Sequence, residues 1–184
     1  MEEIQAITAV HHPVRRRIVD YLGLYGASQV TTLARALEQQ VGSISHHLRM
    51  LERAGIVERA DAPDDDKRTS WWKPARRSLT WSTDDFEDSP SNALLAREAE
   101  RTNISTQLQR LKAWHVGKPQ RAEAEWSRAA FSTDTFTWAS AEELAQLSNA
   151  LRETIDAWRT GIDLDDGVER RPVFVFAHGF PTTP

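Results

Sequence analysis

The chain has 184 residues, of which 40% are hydrophobic and 27% are charged, as is typical of a globular protein with a real core. Its 8 Gly, 8 Pro and 0 Cys argue against collagen-like, low-complexity and fully disordered chains, and exclude disulfides, thiolate-bound metal centres and cysteine nucleophiles. The formal net charge is −4, whereas nucleic-acid-binding domains are usually basic.

The charge is divided unevenly along the chain. Residues 1–78 carry 12 basic and 10 acidic side chains, whereas residues 79–184 carry 11 basic and 17 acidic ones. Four of the ten acids in the first segment lie within residues 61–66, so its predicted helices are basic. The N-terminal segment can therefore meet a polyanion although the whole chain is acidic.

Neither a secretory signal nor a membrane span is expected. The N-terminal stretch MEEIQAITAV is acidic rather than basic, and no run approaches 18 consecutive apolar residues. With no cysteine to require an oxidising compartment, the cytoplasm is the predicted location.

Periodic apolar residues predict two helices before residue 41. The first spans Pro13–Tyr25, and Gly26 is placed to end it. The second lies in the run VTTLARALEQQ, where Thr31 or Thr32 is the predicted N-cap.

A third helix is predicted from Gly42 to Ala54, with Ser43 as its N-cap and Gly55 as its stop. A hairpin follows, because short apolar runs at 56–58 and 71–73 flank a polar loop. Helix, turn, helix and hairpin occur in this order in a winged helix-turn-helix domain.

Three runs carry a family resemblance: HPVRRRIVDYL, TTLARAL and SISHHLRMLERAGIVE. They resemble the ArsR-type winged helix-turn-helix transcriptional regulators, over about the first 75 residues. The resemblance implies a DNA-binding protein that dimerises through helices outside the DNA-binding core. Many regulators of this type sense metals through paired cysteines, and this chain has none.

The third predicted helix is the candidate for reading duplex DNA. At about 100° per residue, with Ile44, Leu48 and Leu51 facing inward, the outward residues are Ser45, His46, Arg49, Met50 and Arg53. Such a helix fits the major groove, where Arg pairs with guanine and Ser or His bonds to base edges. We predict base contacts from Ser43, Ser45, His46 and Arg49, with Arg53 nearer the phosphates.

Phosphate contacts are predicted from the start of the first helix, the start of the second helix and the wing, through Arg15, Arg16, Thr31, Thr32, Lys67 and Arg68. The wing also carries Asp61, Asp64, Asp65 and Asp66, which repel phosphate. Either only the KRTS side of this loop approaches the backbone, or the loop turns away from DNA.

No metal site, cofactor or catalytic constellation is expected. Among the 6 His, no His-x3-His or Asp-x-His spacing occurs together with a second cluster of metal ligands. Adjacent histidines also point to different sides of a helix. The sequence has no phosphate-binding Gly loop, no Gly-x-Ser-x-Gly elbow and no His-Glu-x-x-His. We therefore predict that the protein is not an enzyme.

The remainder of the chain has a different composition. An acidic connection, 79–92, joins the winged domain, 1–78, to a C-terminal region, 93–184. Helices are predicted at 93–115, at 120–130, and from a capping box at Ser140 and Glu143 through Trp158. Strands are predicted around Phe136 and Trp138 and at 171–180, paired with each other. The predicted fold is mainly α with a small β component: a winged helix-turn-helix domain followed by a helical α+β C-terminal extension.

The C-terminal region is predicted to dimerise the chain and is a candidate sensor. The expected dimer contacts on the 93–115 helix are Leu94, Ile104, Leu108 and Leu111. A further helix at the start of the chain is expected to join this surface through Ile4 and Ile7. The alternative is that the long helix packs only within its own subunit. The aromatic residues could enclose an apolar small-molecule effector or, as we favour, form a plain core: Trp114, Trp126, Trp138, Trp158, Phe136, Phe174 and Phe176.

The sequence thus predicts a sequence-specific double-stranded-DNA-binding transcriptional regulator, a repressor that binds a palindromic operator as a homodimer. The alternative is a winged-helix module for protein–protein interaction, with the acidic C-terminal half as its docking region. Salt dependence separates the two, because only DNA binding releases condensed counterions.

Overall fold

The computed structural model describes residues 2–61, 70–75, 86, 89–117 and 124–183. It divides into two compact units, Met1–Ala113 and Trp114–Pro184. It is mainly helical, with one small three-stranded antiparallel sheet. This agrees with the predicted class, a winged helix-turn-helix domain with a helical extension.

The described residues of the first unit form a winged helix-turn-helix core and the greater part of one long helix. The helices are α1 (Glu2–Val10), α2 (Pro13–Tyr25), α3 (Val30–Ala36), α4 (Val41–Arg53) and α5 (Pro90–Val116). The strands are β1 (Ser28–Gln29), β2 (Val57–Ala60) and β3 (Trp71–Pro74). The α5 helix, predicted at 93–115, lies in the first unit as far as Ala113. The sequence analysis instead ended the winged domain at residue 78 and the acidic connection at residue 92, and so assigned this helix to the C-terminal region.

The main core forms where α2, α3, α4 and the sheet meet. Its fully buried side chains include Ile18, Leu22, Leu33, Ile44, Leu48, Leu51, Val57 and Trp72. The three α4 members are those whose spacing predicted an inward stripe, so that prediction is confirmed. Burial of this stripe fixes which side of α4 faces outward.

The sheet has the strand order β1-β3-β2, with both pairings antiparallel. The hairpin of β2 and β3 confirms the predicted wing, and Glu58 lies opposite Lys73 in its register. The β1 strand was not predicted, because two polar residues carry no periodicity. It forms through pairing of Ser28 and Gln29 with the two tryptophans of β3.

Both short helices begin earlier than their predicted caps. The N-caps are Gln29 for α3 and Gln40 for α4, each extended and neither making a side-chain cap bond. Thr31, Thr32 and Ser43, which capping propensity favoured, lie inside the first turns, so their predicted cap role is wrong. Tertiary structure sets these starts: Gln29 is held in β1, which ends where α3 begins. The α2 helix has its predicted bounds, and Gly26 follows it with φ 75°.

A second buried cluster attaches α1 to α5. Ile4 and Ile7 of α1 are buried in it, together with Phe86 and with Ala96 and Ala99 of α5. A polar network joins α2 to α5 as well: Asp20 accepts hydrogen bonds from Arg16 and from Arg110.

The described residues of the second unit contain α6 (Ala124–Ala129) and α7 (Ala141–Thr160). The predicted capping box is confirmed, because the Ser140 hydroxyl accepts from the Glu143 amide, 3.2 Å away, and the Glu143 carboxylate accepts from the Ser140 amide, 2.7 Å away. Residues 120–123 of the helix predicted at 120–130 lie outside the described residues.

The two strands predicted for the second unit are wrong. Residues 131–140 and 171–180 are irregular, and the side chain of Trp138 is fully exposed. Alternating apolar residues form a strand when a neighbouring strand and a second layer cover them, and the described part of this unit supplies neither.

The predicted aromatic core is also wrong, and the aromatic residues do not enclose an effector pocket. Within 114–117 and 124–183 no residue is buried. The apolar stripe of α7 is correspondingly open, with Leu147 and Trp158 each 53% exposed. None of the helices in the described part of the chain combines the length and apolarity needed to span a bilayer.

Candidate nucleic-acid interface

The outward side of α4 is a continuous exposed surface opposite its buried stripe. Its central residues are Gly42, His46, Arg49 and Arg53, which follow each other at helical spacings of four, three and four. All four are exposed, and we call them the outer face of α4. This is the geometry that the sequence predicted for His46, Arg49 and Arg53.

The serines predicted to contact bases lie on the flanks of this face. Ser43 and Ser45 are half-buried, on opposite sides of the helix between the buried stripe and the outer face. Met50 is also half-buried. The hydroxyls of Ser43 and Ser45 are thus placed to contact a ligand from the side of the helix. His46 and Arg49 lie nearer the middle of the outer face.

Two cations on the outer face have no acidic partner in the described part of the chain. Among the described residues, neither Arg49 nor Arg53 forms a salt bridge, and the closest polar contact of Arg53 is to the sulfur of Met50, 3.9 Å away. An unpaired guanidinium retains its donors for a carboxylate, a phosphate or a guanine edge. This end of α4 is therefore suited to a polyanion.

A cluster of histidines connects α4 to the start of α2. The rings of His12 and His47 lie 4.9 Å apart, and that of His46 lies 5.6 Å from His47. Burial lowers the pKa of His12 and of His47, and the positive charge of Arg15 lowers both further. Because a cation is already present here, the His12–His47 pair is favoured in its neutral form.

Arg15 and Arg16, whose contact with phosphate stays a prediction, both make hydrogen bonds within the chain. The Arg15 guanidinium donates to the carbonyl oxygens of Ala9 at 2.6 Å and of Thr8 at 3.3 Å, at the C-terminal end of α1. Arg16 donates to Asp20 and to the Asn103 side chain, each at 3.1 Å. Their structural role is to hold α1 and α5 against α2, which a sequence motif does not reveal.

The remaining phosphate candidates differ in what the structure shows. Thr31 and Thr32 are exposed in the first turn of α3 and stay predicted contacts. Lys67 and Arg68, with their acidic neighbours, lie outside the described residues. The described cations of the wing are paired: Arg59 lies 4.0 Å from the Trp72 ring centre and 3.7 Å from Glu52, and Lys73 lies 3.1 Å from Glu58.

The predicted dimer residues divide into two groups. Leu94, Ile104, Leu108 and Leu111 of α5 are exposed, and Leu108 has 54% of its surface open. Ile4 and Ile7 are buried within the chain, so their assignment to a dimer surface is corrected. These two residues position α5 rather than contact a partner.

Residues 10–60 match a protein family described as a helix-turn-helix domain, and the match runs from the end of α1 to the end of β2. This segment is therefore similar to a helix-turn-helix domain, in keeping with the fold described above. Helix-turn-helix domains of transcription regulators place their second helix in the major groove of DNA. In this chain α4 is the second helix of the motif. No curated protein matches the sequence.

Two groups of residues escaped prediction. Gln40 and Val41 were missed because α4 was expected to begin at Gly42, although the polar run before Val41 is a signal for a helix start. The contact of His12 with His47 joins residues that are 35 positions apart in the sequence, and no periodicity indicates it. No group of three or more His, Asp or Glu suited to a metal ion occurs in the described ranges.

Proposed function

We propose that the protein is a transcriptional repressor of the ArsR-like winged-helix type, which binds a palindromic operator as a homodimer in the cytoplasm and has no enzymatic activity. The observation that carries the proposal is the outer face of α4, where Arg49 and Arg53 are exposed and form no salt bridge with any of the residues that the structure describes. The match to a helix-turn-helix domain supports duplex DNA as the ligand.

Sequence specificity is proposed to arise from Arg49. Its guanidinium stands near the middle of the outer face, where bidentate pairing with the O6 and N7 atoms of guanine is geometrically available. Arg53, one turn further from the N-terminal end, is placed to bind phosphate. Operator choice then depends on one strong contact per α4, supplemented by His46 and the flanking serines.

The homodimer is proposed to form through α5. Ile104, Leu108 and Leu111 are spaced as one helical stripe and are between 38% and 54% exposed. A second copy that covers this stripe would remove the apolar surface from water and present two α4 helices about a two-fold axis. The buried contacts of Ile4 and Ile7 attach α1 to α5, which is the helix proposed to carry the dimer surface.

The competing proposal is a module for protein–protein interaction. The observation that favours it is the open apolar stripe of α7, because large exposed apolar patches mark interaction sites. The repressor proposal includes a small apolar effector that acts on the second unit. This effector would also have to bind the open apolar stripe of α7. The competing proposal predicts no selection among DNA duplexes.

Selection of bound duplexes from a random pool tests the proposed function. A DNA-binding dimer should enrich a palindrome whose half-sites lie about one helical turn apart. Enrichment of a single unrepeated site would refute the homodimer but not DNA reading. Failure to enrich any sequence would refute the regulator and favour the protein-interaction module.

A further inference from the structure

The N-terminal turn of α4 differs chemically from the rest of the helix. The helix begins at Val41, and all of its residues are described. Val41 is 49% exposed, and it is the one large apolar side chain of α4 that is exposed rather than buried or half-buried. It lies three residues before Ile44, so helical geometry places it beside the buried stripe and not on the outer face. The cations Arg49 and Arg53 lie two and three turns away, so this turn carries no charged side chain.

Gly42 follows directly and has no role in the packing of the chain. A Cβ atom built at this position meets no atom within 4 Å, and the residue does not have the left-handed backbone that favours glycine. Gly42 is the second residue of α4, and neither its backbone conformation nor its packing requires glycine. Close approach of the helix backbone to a ligand is a physical reason for glycine at such an open position.

The chemistry of the major groove identifies what an exposed valine can contact there. The base edges present hydrogen-bonding groups with one apolar exception, the 5-methyl group of thymine. The N-terminal residues of the second helix of a helix-turn-helix domain are those that contact base edges. A branched apolar side chain in this position gains free energy only against that methyl group, because every other base edge would be desolvated without a partner.

We propose that Val41 reads the 5-methyl group of a thymine in the bound duplex, and that Gly42 lets the helix backbone come close enough for this contact. The inference rests on the proposed DNA-binding function. It adds a preference for an A·T pair beside the guanine-containing pair assigned to Arg49. Val41 is thus a specificity-determining residue and does not supply general affinity for DNA.

The test removes the methyl groups from each side of the contact, one from thymine and the two γ-methyl groups from Val41. Thymines of the selected duplex are replaced singly by deoxyuridine, and Kd is measured by fluorescence anisotropy for the wild-type protein and for Val41→Ala. One replacement should raise the wild-type Kd about fourfold, the value for one buried methyl group. The same replacement should leave the Kd of Val41→Ala unchanged.

Gly42→Ala tests the close approach, and Gly23→Ala is its matched control, because Gly23 is a helical glycine of α2 that likewise has nothing within 4 Å. Both variants should unfold at the same or higher temperature than wild type. Gly42→Ala should raise Kd by about fivefold or more, as expected when a methyl group is forced into a packed interface. Gly23→Ala should bind as wild type does.

The outcomes separate the inference from the proposed function. If no duplex is selected, the proposed function fails before any uracil is introduced. If duplexes are selected but contain no thymine sensitive to uracil replacement, or if Val41→Ala is equally sensitive, the reading of thymine by Val41 is overturned. Wild-type affinity of Gly42→Ala would overturn the role of Gly42.

Discussion

Replacing Asp20 by Asn should weaken the attachment of α5 to α2. The Asp20 carboxylate accepts hydrogen bonds from Arg16 at 3.1 Å and from Arg110, and the three side chains are between 24% and 34% exposed. Asn preserves the shape and one acceptor but removes the negative charge. The two guanidiniums then lose the negative charge that they share.

The free energy of unfolding should fall by about 1–2 kcal/mol, between the value of an exposed ion pair and that of two charge-assisted hydrogen bonds. Urea denaturation followed by circular dichroism measures it, and amide hydrogen exchange should show faster opening along α5. The control is Asp156→Asn, which removes an ion pair to Arg159 whose side chains are 67% and 58% exposed. Equal stability of the two variants would refute the view that Asp20 holds α5 in place.

Three further predictions concern DNA reading, assembly and pH. Arg49→Ala should cost about 1–3 kcal/mol of binding and relax the preference at one base pair per half-site; equal weakening of all sequences would instead make Arg49 a phosphate contact. Leu108→Asp combined with Leu111→Asp should give a folded monomer in size-exclusion chromatography with light scattering, and a persistent dimer would move the interface elsewhere. Burial, aided by the charge of Arg16, lowers the pKa of His11 to about 4. The unfolded chain therefore binds more protons than the folded chain between about pH 6.5 and 4, so the free energy of unfolding should fall as pH drops through this window. His11→Gln should flatten that dependence, and an unchanged slope would contradict the assignment.

The part of the site that depends on periodicity could be predicted from the sequence. Ile44, Leu48 and Leu51 define the inward side of α4, and the opposite residues, including His46 and Arg49, follow from helical geometry alone. Gly55 marked the end of the helix, with φ 65°. These features are local, so no knowledge of the rest of the fold was needed.

The parts that depend on partners distant in sequence could not be predicted. Thr31 and Ser43 have better capping propensity than Gln29 and Gln40, yet the glutamines are the caps. Arg15 resembles a phosphate ligand in sequence, and only the folded chain shows its guanidinium at the end of α1.

In the second unit, a local sequence pattern predicted strands that the structure does not contain. Alternation around Phe136 and Trp138 is typical of a half-buried strand, but the pattern does not state what covers the apolar side. In the structure these residues are 69% and 101% exposed. The α7 helix was predicted correctly because its capping box is a local hydrogen-bonding pattern that needs no distant partner.

The salt dependence of binding to the selected duplex is the most direct test of DNA recognition by α4. Arg53 is the proposed phosphate contact, so two protomers displace about two counterions, for which log K should fall with log salt at a slope of about −1.8. Affinity should then decrease about 12-fold between about 50 and 200 mM salt. An affinity that stays constant over this range would contradict the account, because the contacts could not be made to phosphates.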